Sequence, residues 1–508
     1  MLKKIAASVM AVLLTFGGVV PAATCADDGA GNAKIIGDMN GDKVVNTYDL
    51  IMLRQLIDSK EYIYGFAAYD ENNMNMDLDN DGCISSKDAD GLSDFLMGKP
   101  VPFAVRIGSQ PLGKDMNIEA AEGRETDEKF AEPYMDFGME LFRRSAAENK
   151  SKNVLVSPVS VMTALAMTAN GANGETLAEM EKVLGGELKM EDINEYLSYF
   201  DRRITGAKYS TLNIANSIWF NANRNYDLKE EFLSTDMRYY NAPLYKVLFD
   251  RAAMQDVNNW VMKNTKGMIK KVFEDADESL FEELAMCLIN TLYFHGDWAK
   301  EYESTYKADF TDVNGNKKSV DFLGGDEHYY YETDSYTGFR KNYSGNEFSF
   351  VGILPNEGTD INEFIAGLDA EELLKTISKP IVPTPENEFT VIARMPEFKN
   401  EFSIKMKDML SDMGMSSAFD EGSADFSGMT DEAKLYIDEV LHKTAIELNK
   451  NGTSAAAVTV IMTKENAAIM QPEKKIYVDM NRPFVYMIID NKTSLPLFIG
   501  AVTEVNQG

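Results

Sequence analysis

The stretch Gly452–Thr459, GTSAAAVT, decides how the rest of this chain is read. It continues as VIMTKENAAIMQPEKK, with no charge before Lys464 and no proline before Pro472, so nothing forbids an extended strand. As a strand it would turn Thr453, Ala455, Ala457, Thr459 and Ile461 to one face, and most of these are small. A central strand ordinarily carries Val, Ile or Phe on its buried face; small side chains suit a segment that slides between strands already packed. Alanine is also the best helix former, so the same letters fit an exposed loop or a short helix.

The flanks favour the strand held in reserve. Upstream, LYIDEVLHKTAIELNKNG places Leu435, Ile437, Val440, Leu441, Ile446 and Leu448; downstream, RPFVYMIIDNKTSLPLFIGAV holds two apolar, strand-like runs joined by Asp490 to Ser494. Further motifs are NVLVSPVSVMTALAMTANGANGETLAEMEKVL from Asn153, LNIANSIWF at 212–220, VNNWVMKNTKGMI at 257–269 and INTLYFHGDW at 289–298. MPEFK follows at 395–399, then MGM and ADFSGM between Met413 and Met429. In this order, over residues 130 to 504, they resemble the serpin family. Periodicity alone supports a mixed α and β chain with helices early and strands late. The resemblance implies an α+β serpin fold, with three β-sheets, about nine helices and an exposed reactive loop.

What the resemblance implies about function is specific. A serpin offers its loop to a serine protease as a substrate, and the cut loop then inserts into the central sheet before the acyl-enzyme is hydrolysed. The hinge would be Gly452, Thr453, Ser454, Ala455, Ala456, Ala457, Val458 and Thr459. Family spacing from Gly452 puts the reactive bond at Asn466–Ala467; Lys464, suiting a trypsin-like target, and Met470, suiting a subtilisin- or chymotrypsin-like one, are alternatives. Lys450 and Asn451 depart from the acidic residues common before the hinge glycine, so an ion pair there is lost or reversed. Ser157, Ser160, Asn290 and His442 match the polar cluster that controls strand separation, and Trp298 matches the aromatic residue where the incoming strand enters.

Residues 38–49, DMNGDKVVNTYD, and 77–88, DLDNDGCISSKD, both space oxygen donors as a cation-binding loop does. The ligands would be Asp38, Asn40, Asp42, the Val44 carbonyl, Asn46 and Asp49, then Asp77, Asp79, Asp81, the Cys83 carbonyl, Ser85 and Asp88. Lys43 stands where glycine usually permits the sharp turn, which weakens the first loop. A helical pattern follows each loop: Leu50, Leu53, Leu56 and Ile57, then Leu92, Phe95 and Leu96. Two such loop-and-helix units, over Ile35 to Lys99, resemble a dockerin, a small all-α module with two EF-hand-like loops that binds two Ca2+ ions. The resemblance assigns cohesin recognition to Thr47 and Tyr48 in the first copy and to Ser86 and Lys87 in the second.

The remaining chain bounds the reading. Residues 1–26, with Lys3 and Lys4 before an apolar run and Ala22, Ala23 and Ala26 after it, form a secretory signal peptide pattern; no later segment could span a bilayer. Residues 35–99 would be the dockerin, 100–128 a linker and 129–508 the serpin domain. A net charge of −31 argues against nucleic-acid and anionic-membrane partners. GxSxG, HExxH and Walker patterns are absent, so no enzyme is expected. Cys287 reads as a buried small hydrophobe. The expectation is a secreted, monomeric protease inhibitor tethered by cohesin to a cellulosome-type scaffold for polysaccharide degradation. The alternatives are a non-inhibitory, structural or chaperone-like serpin and a dockerin-borne hydrolase.

Overall fold

Serine followed by proline is a helix-start signal, and Ser157-Pro158 opens a helix. The Ser157 hydroxyl accepts from the Ser160 N–H, and Pro158 takes the first helical position, where a missing N–H costs nothing. All residues of this helix, Pro158–Ala169, are buried. A helix buried around its whole circumference belongs at the centre of a domain.

The structure, a computed structural model, describes residues 47–58, 76, 84, 86–97, 112–113, 116–224, 226–249, 251–274, 281, 283–453 and 474–505. Its helices are α1 (Thr47–Asp58), α2 (Ser86–Leu96), α3 (Glu128–Glu148), α4 (Pro158–Ala169), α5 (Gly174–Gly185), α6 (Met190–Thr205), α7 (Glu230–Tyr240), α8 (Arg251–Asn264), α9 (Ile361–Gly367), α10 (Ala370–Ser378) and α11 (Lys407–Leu410). Its strands are β1 (Val154–Val156), β2 (Ser210–Asn221), β3 (Leu244–Val247), β4 (Met286–Asp297), β5 (Thr305–Thr311), β6 (Lys317–Glu327), β7 (Tyr329–Glu332) and β8 (Tyr336–Asn342). They continue with β9 (Phe348–Pro355), β10 (Phe389–Pro396), β11 (Phe398–Lys405), β12 (Glu439–Leu448), β13 (Gly452–Thr453), β14 (Lys474–Asp479), β15 (Phe484–Asp490) and β16 (Pro496–Val502).

The chain divides into two compact units, Met1–Gly108 and Ser109–Gly508. In the first, α1 and α2 pack through Leu53, Ala89 and Leu92, with Leu50, Ile57 and Leu96 around them. These are the apolar positions that the helical spacing selects.

The second unit holds three sheets, in the orders β1-β16-β15-β9-β8-β7, β14-β10-β6-β5 and β11-β12-β13-β4-β2-β3. The two apolar runs near the C-terminus pair antiparallel as β15 and β16, every residue of both strands buried. The third sheet is covered on both faces. One face joins the main core through Leu288, Leu292 and Phe294; the other carries Trp219, Cys287, Ile289 and Leu441 beneath Val257 and Val261 of α8. Alternation along β4 therefore sends even-numbered residues to one core and odd-numbered residues to the other. Cys287 is buried in the second core, and burial pushes its thiol well above the ordinary range.

Two local readings need adjustment. Tyr134, Phe137 and Leu141 lie on one helical stripe, which predicts a start at Pro133, whereas α3 starts at Glu128, because the Asp127 carboxylate caps it by accepting from the Lys129 N–H; Pro133 is carried inside. Leu112 and residues 116–127, at the end of the stretch read as linker, include groups bonded to the rest of the large unit. The Leu112, Ala121 and Arg124 N–H groups donate to the carbonyls of Leu244, Arg238 and Glu195, and Arg124 pairs with Asp192 at 2.7 Å.

Candidate functional site

The third sheet contains a slot. Strands β12 and β4 run parallel and pair directly from Glu439↔Cys287 to Thr444↔Leu292. Beyond that they diverge, and β13 lies between them, antiparallel to both: Thr453 faces Leu448 of β12 and Gly296 of β4, and Gly452 faces Asp297. Only glycine allows this approach. A Cβ on Gly452 would stand 2.2 Å from the Gly296 carbonyl oxygen. Gly452 and Thr453, the first two residues of the expected hinge, are thus already strand, and Thr453 is fully buried.

A polar row crosses the closed part of the slot. The register aligns Asn216 of β2, Asn290 of β4 and His442 of β12 side by side. His442 Nε2 accepts from the Ser157 N–H at 3.1 Å, and its Nδ1 meets the Asn290 side-chain oxygen. These partners fix the neutral tautomer with the proton on Nδ1. Burial pushes the imidazole pKa down to about 3. The Asn290 amide donates to Ser160 Oγ at 2.6 Å and to Asn216. The structure thus brings Ser157, Ser160, Asn290 and His442 together, as the sequence suggests. It adds Asn216, which sequence reasoning missed. Its signal was available: Leu212, Ile214, Ile218 and Phe220 share its face, leaving Asn216 the lone polar residue of that parity between positions 212 and 220.

Aromatic rings close the mouth of the slot. Trp298 sits just past β4 and stacks on Tyr343, with ring centroids 4.6 Å apart. Its Nε1–H donates to the Asn449 carbonyl, its backbone N–H to the Asn451 carbonyl, and the Tyr302 N–H to the Lys450 carbonyl. The chain entering the slot is therefore clasped through its backbone. Tyr343 was also missed; its hydroxyl shares a 2.6 Å hydrogen bond with Thr453 Oγ1.

An ion pair and a backbone-to-carboxylate bond flank the mouth. Lys341 Nζ lies 2.8 Å from Glu327, both side chains buried, and 4.2 Å from the Tyr302 ring centroid. Burial holds the Glu327 carboxyl above its ordinary range although Lys341 pulls it down. The Lys450 N–H donates to Glu397 Oε1 at 2.9 Å. Burial raises the Glu397 carboxyl, while that N–H and the Lys450 charge draw it down. The Lys450 contact with Glu397 is made by the backbone N–H and is not an ion pair of its side chain.

In the small unit, Asp49 and Asp88 are each the third residue of their helix, and both are fully buried. Thr47 and Tyr48, and likewise Ser86 and Lys87, precede them as exposed first-turn residues. The duplicated loops therefore end in duplicated geometry. Among the described residues no group of three or more His, Cys, Asp or Glu could hold a metal ion. Asp38, Asn40, Asp42, Val44, Asn46, Asp77, Asp79, Asp81, Cys83 and Ser85 lie outside the described residues. So do the signal peptide pattern, Ser454 to Thr459, and Lys464, Asn466, Ala467 and Met470. No helix among the described residues is long and apolar enough to cross a membrane.

Comparison with known proteins matches these features. The family model "Serpin (serine protease inhibitor)" covers residues 132–505, and that of the dockerin type I domain covers residues 36–97. A leukocyte elastase inhibitor from Xenopus tropicalis is 32% identical over 382 residues, covering 72% of this chain and 96% of the relative. The crystal structure of the thermophilic serpin tengpin in its native state is 40% identical with a TM-score of 0.71, covering 78% of this chain and all of that one. Thyroxine-binding globulin in complex with thyroxine is 25% identical with a TM-score of 0.65, covering 75% of this chain and all of that one.

Proposed function

The chain belongs to the serpin family and carries a dockerin type I domain, and on that premise we propose that it is a secreted suicide-substrate inhibitor of serine proteases, tethered by its dockerin to a cohesin-bearing scaffold. The observation that carries the reading is the slot itself. Thr453 already occupies its first rung between β12 and β4.

In the proposed reaction the protease serine attacks a loop carbonyl, forming an ester to the residue on the amino side of the cut and releasing the new amino terminus. The freed hinge then extends β13. Serpin loop insertion is itself a named case of strand addition to a sheet. Carried on at the observed register, residue 459 arrives opposite Asn290 and His442, and residue 463 opposite Met286, where β4 begins. Residues 453–463 carry no charge, and Lys464 and Glu465 come next. Slot length and charge boundary agree, which supports a cut beyond residue 463; Asn466–Ala467 remains the proposed bond, with Lys464 and Met470 as alternatives.

Each ladder bond contributes about 0.5–1.5 kcal/mol net, so an inserted strand gains on the order of 10 kcal/mol. That is comparable to the roughly 5–15 kcal/mol stabilising a whole domain. The uncut protein is then held by a kinetic barrier. The staple from His442 to Asn290 contributes to it, because the new strand must part them.

For the dockerin, Asp49 and Asp88 fit the last ligand of a calcium loop: each is a buried carboxylate at the start of the helix that follows. With the oxygen donors at 38–46 and 77–85 they would hold two Ca2+ ions, which supply the charge that lets these loops fold. Thr47, Tyr48, Ser86 and Lys87 are the proposed cohesin contacts.

Incubation of the full chain with subtilisin, elastase, chymotrypsin and trypsin tests the reading. A denaturation-resistant complex with one of them is expected, and the mass of the released C-terminal peptide fixes the bond. Cutting by every protease without a complex would replace inhibition by the non-inhibitory reading, which the likeness to thyroxine-binding globulin favours.

A further inference from the structure

We infer that Tyr343 is the positioning residue that receives the hinge, its hydroxyl setting how far the loop is seated in the sheet before any protease arrives. The inference rests on the inhibitory reading only for the use to which seating is put.

Tyr343 follows β8, a strand of a different sheet, and reaches the slot because an antiparallel bridge ties it to Trp298. Its ring is held on several sides. It stacks on Trp298 with planes 11° apart, meets Phe294 edge-on at 5.0 Å, and its own N–H donates to the Phe348 carbonyl at 3.1 Å. A ring packed in this way cannot swing its hydroxyl to another partner. That hydroxyl is fully buried, and burial keeps it a neutral phenol, able to donate at any ordinary pH.

Its partner among the described residues is Thr453 Oγ1, at 2.6 Å. The consequences of breaking this bond are unequal. When the hinge withdraws, the Thr453 hydroxyl passes to water, whereas the Tyr343 hydroxyl stays among Phe294, Trp298 and Phe348 with its bond unmade. A buried donor left unsatisfied is costlier than the net value of the bond it lost. The pair therefore favours the seated hinge.

Seating acts on two rates in opposite directions. A hinge whose first rung is already paired with Leu448 and Gly296 has no slot to find after cutting, which speeds insertion. The same seating shortens the loop offered to the protease, which slows docking. Tyr343 thus sets the balance between being bound quickly and trapping reliably.

Tyr343→Phe keeps the ring and its stacking and removes only the hydroxyl; Thr453→Val removes the other half of the bond. Amide exchange at Gly452–Thr453 and at the Trp298 N–H, which donates to the Asn451 carbonyl, reads seating in the full chain with no protease present. Each single substitution should speed exchange about tenfold, and the double variant should go no further than either. With a protease that the wild type traps, Y343F should associate a few-fold faster and be released cut more often. Equal exchange in wild type and Y343F, or single effects that multiply in the double variant, would overturn the inference. Should Y343F fail to fold, Thr453→Ser against Thr453→Val carries the test: serine should keep wild-type exchange and valine lose it, and equal exchange in the two would overturn it. A chain that traps no protease yet shows coupled exchange would lose its inhibitory reading while keeping this role for Tyr343.

Discussion

His442 and Asn290 face each other across the parallel pair β12–β4, and the His442 Nδ1–H is bonded to the Asn290 side-chain oxygen while Nε2 accepts from Ser157. Both ring nitrogens are used by the neutral form. A second proton would point at the Ser157 N–H, itself a donor.

Acid should weaken this arrangement in a defined window. The folded pKa of His442 is depressed to about 3 from the ordinary 6.5, so the unfolded chain takes up the proton first. Its contribution is complete above pH 6.5 and is lost as pH falls towards 3, at about 1.4 kcal/mol per unit. The stability difference between wild type and His442→Gln should therefore shrink by about 2 kcal/mol between pH 7.5 and pH 5 in urea unfolding. A constant difference would show that the ring takes a proton in the folded protein.

Asp201 should behave with the opposite sign. It is partly buried on α6, accepts from Thr163 Oγ1 at 2.9 Å, and burial of its carboxylate pushes the carboxyl up to about 7. A folded pKa above the unfolded one gives stability that is present in acid and lost as pH rises from about 4 to 7. Asp201→Asn keeps an acceptor for Thr163 without the charge. It should stabilise by up to about 4 kcal/mol at pH 8 and by under about 2 kcal/mol at pH 5. Equal melting shifts at the two pH values would count against a buried, titrating Asp201.

Thr453→Arg places a guanidinium where the wild-type side chain is fully buried against Tyr343. An unpaired charge cannot be left there, so the hinge should withdraw and insertion should slow. Trapping assays should show the loop cut with little complex, the inhibitor consumed per protease rising at least about tenfold. Undiminished trapping would mean that insertion does not begin at Thr453.

Calcium removal should separate the two units. The small core of Leu53, Ala89 and Leu92 buries little apolar surface, so the ions should supply much of its folding free energy. In the full chain, EDTA should expose α1 and α2 to proteolysis while the thermal transition of the large unit stays in place. Protection of both helices in EDTA would show that this unit folds without metal.

Much of the site was legible because its signals are local. Ser157-Pro158 announces a capped helix, and Gly452 to Thr459 combines small size with absent charge. Asn216 was legible only by parity, since one polar residue on an alternating apolar face looks unremarkable until its neighbours across the sheet are known. Tyr343 was not legible. In KNYSGN it reads as a turn residue, and its role depends on a bridge to Trp298, far away in sequence, that no period encodes. Glu397 was hidden similarly, because its position opposite Lys450 depends on how β11 lies beside β12.

Strand direction has a consequence of its own. The sheet runs antiparallel from β11 to β12 and from β4 to β2, but parallel where β12 meets β4. A parallel ladder is slightly the weaker kind, and a strand arriving as β13 does replaces it with two antiparallel ladders. In the proposed insertion the parallel β12–β4 pairing is the seam that parts, and the direction of its release follows from chain topology. Side chains such as His442 and Tyr343 would then set the moment of release and not its direction.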